Sequence, residues 1–129
     1  MTDTDIDSLD FPAAREYVLN FIISLKRTQK DRAMAEEELG QWERRVKLAA
    51  SRGEPILKRS AEQRVTELKS RRGELLEEEG RLRVKVDVLK EKLRALAVRS
   101  SLSVDADALL AQLSMVAGSR DPLKEQLAG

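Results

Sequence analysis

The chain contains no cysteine and no histidine among its 129 residues. This excludes disulfides, thiolate nucleophiles, Cys/His zinc sites, histidine general bases and imidazole switches in one step. Aromatics are scarce as well, with one Trp, one Tyr and two Phe. Abundant Ala, Leu, Glu, Lys and Arg with so few rings is the composition of long helices or coiled coils rather than of a compact core. Neither sign of charge dominates: 24 Lys and Arg against 23 Asp and Glu leave +1. A nucleic-acid partner is therefore not expected, and nothing pulls the chain as a whole toward an anionic membrane. Long hydrophobic runs are missing too. The longest apolar stretch, Tyr17–Leu25, is broken by Asn20 and Ser24 and is too short to span a bilayer. The opening residues carry Asp3, Asp5, Asp7 and Asp10 without a basic residue, the opposite of a signal-peptide n-region. A cytoplasmic location is the expectation.

What is present is helical periodicity. Residues 1–10 sum to −4 and read as a disordered acidic lead. Asp10 before Phe11-Pro12 suits a helix N-cap, with proline in the first turn. Nothing breaks the helix until Ser51-Arg52-Gly53-Glu54-Pro55, where Gly53 can cap one helix and Pro55 can open the next. The second helix then runs to about Arg99. Ser100 to Ser103 form a short linker, Ser103 or Asp105 caps a third helix ending at Gly118, and Asp121-Pro122 starts a final turn. The expected division is a lead over 1–10, a hairpin over 11–99 with its turn near 52–55, and short helices over 100–129.

In the first helix one heptad set is Phe11, Val18, Leu25, Arg32, Leu39 and Val46, and its partner set is Ala14, Phe21, Thr28, Ala35, Trp42 and Ala49. In the second, Leu68, Leu75, Leu82, Leu89 and Leu96 fall at sevens after Ala61, alternating with Val65, Arg72, Glu79, Val86 and Leu93. A 3.5-residue apolar repeat sustained in this way signals a supercoiled helix. A parallel zipper would stack Arg72 on Arg72 and Glu79 on Glu79. An antiparallel hairpin folded at Gly53 instead pairs residues whose numbers sum to 107, setting Leu39 by Leu68, Trp42 by Val65, Val46 by Ala61 and Leu25 by Leu82. Arg72 then faces Ala35, Glu79 faces Thr28, and Arg32 comes within one layer of Glu79. Arg32, Arg72 and Glu79 thus form a polar register layer in an otherwise apolar seam. The hairpin is the better reading, with arms of roughly 60 Å.

Outside the seam, Leu19, Ile22 and Ile23 on the first helix stand level with Val84 and Val88 on the second. Helices apolar nearly all round need burial on several sides. The third helix, with Leu109, Leu110, Leu113 and Val116, can fold over this open end, and a second copy can cover the rest. The expected fold is all-α: a long antiparallel coiled-coil hairpin with a short third helix at its open end, assembled as a dimeric helical bundle. Leu19, Ile22, Ile23, Val84 and Val88 are the candidate oligomer interface.

No catalytic, cofactor or metal residue emerges. Glu36-Glu37-Glu38 and Glu77-Glu78-Glu79 fan over different helix faces with no histidine to complete a metal motif, and read as solvated surface. Lys69, Arg71, Arg72, Arg81, Arg83 and Lys85 are interleaved with glutamates and lack aromatic stacking partners. Gly73 and Gly80 lie inside a helix, so no phosphate loop exists, and the serines have no base to activate them. Gly40, Gly73 and Gly80 share one outward heptad position. They read as tolerated looseness or, alternatively, as a track for another helix. Trp42 reads as a seam filler.

The run Trp42-Glu43-Arg44-Arg45-Val46-Lys47-Leu48-Ala49-Ala50-Ser51-Arg52-Gly53-Glu54, followed by Ala61, Arg64 and the later heptads, resembles the phage shock protein A and thylakoid vesicle-inducing family over about residues 42–96. The likeness lies in the tryptophan, small-residue and glycine pattern at a hairpin turn. It implies a cytoplasmic, oligomerising protein of envelope maintenance or membrane remodelling. The chain departs from that family in its acidic lead, which replaces an amphipathic N-terminal helix, and in its shorter arms. Residue chemistry by itself favours a non-enzymatic scaffold or adaptor whose partners are a second copy and another protein. A phage-shock-like membrane-associated protein and an export or assembly chaperone are the alternatives. Peripheral membrane contact has no support from the residues.

Overall fold

The computed structural model describes residues 6, 8–99 and 106–119. Three helices account for nearly all of them: α1 (Phe11–Ser51), α2 (Pro55–Arg99) and α3 (Ala106–Ser119). The start of α1 is set by Asp10, whose Oδ1 accepts a hydrogen bond from the Ala13 amide at 3.0 Å, satisfying one of the amides a helix start leaves open. Its end is a Schellman motif. Gly53 adopts a φ of 66°, its amide donates to the Ala50 carbonyl at 3.2 Å, and the Glu54 amide donates to the Ala49 carbonyl at 3.0 Å. An L-residue side chain is disfavoured in that left-handed conformation, which is why glycine stands there. Pro55, lacking an amide hydrogen, is the first residue of α2, where that hydrogen would have had no partner. The first bond of α2 runs from the Lys58 amide to the Glu54 carbonyl at 2.9 Å. The turn between two helices of 41 and 45 residues is thus encoded in a few consecutive positions.

The chain divides into two compact units, residues 28–78 and residues 1–27 with 79–129. The first is a two-helix unit. On α1, Thr28, Ala35, Leu39 and Ala49 are buried and Arg32, Trp42 and Val46 half-buried; on α2, Ala61, Leu68 and Leu75 are buried and Val65 and Arg72 half-buried. These are the heptad positions, so the antiparallel helices meet along one narrow stripe. An ion pair spans them from Arg64 Nη2 to Glu38 at 2.9 Å, and Arg64 Nη1 also reaches Glu67 at 3.1 Å on its own helix. The two carboxylates push the Arg64 pKa above its ordinary value, chiefly through the hydrogen bond that Arg64 donates to Glu38 and then the one it donates to Glu67.

The second is a three-helix unit. Ala14, Val18, Leu19 and Ile22 of α1, Val86, Leu89 and Leu93 of α2, and Leu110, Leu113 and Ala117 of α3 form one buried cluster with Ile6. Each large aliphatic side chain fully buried here contributes roughly 1.5–3 kcal/mol before conformational entropy is subtracted. Tyr17 and Phe21 stack at a tilt with centroids 5.2 Å apart, and the Lys85 ammonium sits 5.1 Å from the Phe21 centroid.

Two expectations change here. The lead was expected to be disordered throughout residues 1–10, yet Ile6 is buried in the core and Leu9 packs against it. The Leu9 amide donates to the Ile6 carbonyl at 3.1 Å, a short turn that puts both apolar side chains on one side of an otherwise acidic stretch. The third helix extends one residue past Gly118, to Ser119. Its expected caps at Ser103 and Asp105, the linker at Ser100 to Ser103 and the turn at Asp121-Pro122 lie outside the described residues.

Candidate functional site

The expected seam residues sit along the helix contacts. Leu39, Leu68, Leu75 and Leu89 are buried, and Leu25, Trp42, Val46, Val65, Leu82 and Leu96 are half-buried. Within the polar layer, Arg32 donates to Glu36 at 2.9 Å one turn along α1. Glu79 is buried and accepts from Arg83 at 2.6 Å, while Arg72 is half-buried. Among the described residues no buried side-chain nitrogen or oxygen lacks a hydrogen-bond partner.

The expected oligomer interface divides in two. Leu19 and Ile22 are buried within the single chain, and Ile23 packs against the same cluster, which holds Leu110, Leu113 and Ala117 of α3. Leu19 and Ile22 therefore have no free surface to offer a second copy. Val84 remains 66% exposed and Val88 is also exposed. The reason is angular: the α2 face bearing Val84 and Val88 points away from the stripe bearing Val86, Leu89 and Leu93. Val84, Val88, Ala95 and Val98 continue this outer stripe at spacings of four, seven and three, and all four are exposed. Only Glu91 interrupts it, and Arg94 pairs with that carboxylate.

The glycine track is open at Gly73 and Gly80. A Cβ added at Gly73 or Gly80 would meet nothing within 4 Å, so among the described residues no helix approaches there.

A second surface, in the two-helix unit, went unnoticed in the heptad arithmetic. Near the Gly53 turn a groove of about 340 Å³ is lined by Trp42, Arg45, Leu48, Ala49, Arg52, Glu54, Leu57, Ser60 and Ala61. Leu48 and Leu57 are 49% and 58% exposed, and the Arg45 guanidinium lies 4.3 Å from the Trp42 ring centroid, a cation–π distance. Trp42 therefore lines an open groove besides touching the seam. The available signal was that Leu48, Ile56 and Leu57 lie off the heptad positions, with no role in the seam to account for them. Arg44, Arg45, Lys47, Arg59 and Glu62 are exposed around the turn as well.

Among the described residues no cluster of acidic side chains could hold a metal ion. No helix among the described residues is long and apolar enough to cross a membrane. Comparison with family models, with curated proteins and with solved structures finds no match to this chain.

Proposed function

We propose that this protein is a non-enzymatic coiled-coil scaffold that works by pairing with a second copy of itself and by holding another protein. The observation that carries the reading is the exposed outer stripe of α2, Val84, Val88, Ala95 and Val98, left uncovered in a helix whose opposite face buries Val86, Leu89 and Leu93. Such a stripe is self-complementary in an antiparallel, two-fold arrangement. Centred on Glu91, that arrangement sets Val84 opposite the second copy's Val98, and the two Glu91 carboxylates that meet at its centre are each paired with Arg94 of their own chain. The interface differs from a band shared by both arms: Val84 and Val88 stay in it, and Leu19 and Ile22 serve the core. Sedimentation equilibrium tests the reading. The wild-type chain is expected at twice its 14.5 kDa mass. Val84→Glu with Val88→Glu is expected at monomer mass with unchanged helicity. A wild-type monomer at high micromolar concentration would overturn self-association.

A further inference from the structure

The groove beside the Gly53 turn is lined by Trp42, Leu48 and Leu57 together with Arg45 and Arg52. We infer that it receives an acidic helical segment carrying a large apolar side chain, the apolar group entering between Leu48 and Leu57 over Trp42 and the acidic flanks meeting Arg45 and Arg52. This deepens the scaffold reading by specifying the second partner, and it does not depend on self-association.

Three observations converge on that occupant. The first is shape: a groove of about 340 Å³ has a tryptophan in its lining and two half-exposed leucines, Leu48 and Leu57, the kind of concavity that accepts an anchoring side chain. The second is charge. The groove lining carries Arg45 and Arg52 against Glu54, within a stretch, residues 42–60, whose six basic and two acidic residues give a net +4 in a chain whose total is +1. The third is pairing. Among the described residues neither Arg45 nor Arg52 is paired with a carboxylate, a state they share with Arg44 and Arg59 around the turn, while Arg32, Arg64, Arg83 and Arg94 each have a glutamate partner. Two unneutralised guanidiniums at the rim of an apolar groove favour a partner that brings carboxylates. The chain's own lead is acidic, but among its described residues the apolar Ile6 and Leu9 are engaged in the core of the three-helix unit. A lipid surface would use the exposed Ile56 and the basic residues alike but would leave a recessed groove unfilled.

Trp42 is the only tryptophan in the chain, so tryptophan emission reports the groove together with the seam beside it. The probe is a capped, tryptophan-free helical peptide of Glu and Ala with leucines at i and i+4, titrated into the full-length protein. A saturable shift of Trp42 emission is expected, and added salt should weaken it. Arg45→Glu with Arg52→Glu should weaken binding at least about tenfold, and Leu57→Ser should weaken it too, with circular dichroism confirming unchanged helicity. The same titrations in the Val84→Glu, Val88→Glu background should give the same affinity, separating this inference from self-association. The inference is overturned if the peptide produces no saturable shift or if a peptide with Lys in place of Glu binds equally well. It is also overturned if phosphatidylglycerol vesicles shift the emission and the acidic peptide neither does so nor competes, which would make the turn a lipid-binding surface.

Discussion

Leu19 and Val84 are both apolar, both lie outside the heptad seam, and the structure gives them opposite roles, so truncating each to alanine should give opposite results. Leu19 is 0% exposed and belongs to the cluster that includes Leu110 and Leu113. Replacing a buried leucine by alanine removes its transfer free energy and leaves a cavity, together about 2–5 kcal/mol. Against a total stability of about 5–15 kcal/mol for a domain, that is a large fraction. Val84 keeps 66% of its surface, so only about a third of a valine's roughly 1.5–3 kcal/mol is engaged within the chain. Alanine recovers up to about 0.7 kcal/mol of helix propensity at the same position. The net effect of Val84→Ala on the monomer is then close to zero. Urea unfolding followed by ellipticity at 222 nm, at protein concentrations low enough to populate the monomer, measures both. Leu19→Ala should move the midpoint far to lower urea, and Val84→Ala should leave it nearly unchanged. Equal losses in the two variants would refute the assignment of Leu19 to the intrachain core and Val84 to the outer face.

Three further results are expected. Gly73→Ala with Gly80→Ala should raise the melting temperature, since each added Cβ enters open space and each site gains about 1 kcal/mol of helix propensity; a loss on thermal unfolding would show that something packs on those glycines. Glu79→Leu should be neutral or stabilising by up to about 4 kcal/mol, because a buried carboxylate at a heptad position gives way to an apolar side chain, while Arg83→Ala, which strips Glu79 of a 2.6 Å partner, should destabilise; the same sign for both in denaturant titration would contradict this. Because the chain has no cysteine, Leu39→Cys with Leu68→Cys offers a clean cross-linking test, and oxidation should give a bond within one chain that leaves the mass monomeric on non-reducing gels under denaturing conditions.

Local signals carried much of the architecture. Asp10, Gly53 and Pro55 act through bonds reaching no more than five residues, so the helix ends and the turn follow from short-range chemistry. The recurrence of leucine every seven residues from Leu68 to Leu96 set the face that α2 turns to its neighbour, because a helix has only one way to present a 3.5-residue repeat. The covering of the remaining apolar residues was not decided at that range. Leu19 and Ile22 are buried while Val84 and Val88 are not, although all four lie off the seam, because burial there depends on where α3 and Ile6 settle, and those positions are remote in sequence. Likewise Leu48 and Leu57 look like surplus hydrophobics in one dimension; only the return of the chain at Gly53 sets them with Trp42, Arg45 and Arg52 around a single groove. Periodicity specifies which stripe of a helix is apolar, but which of two stripes meets protein and which meets solvent is settled by contacts between segments far apart along the chain.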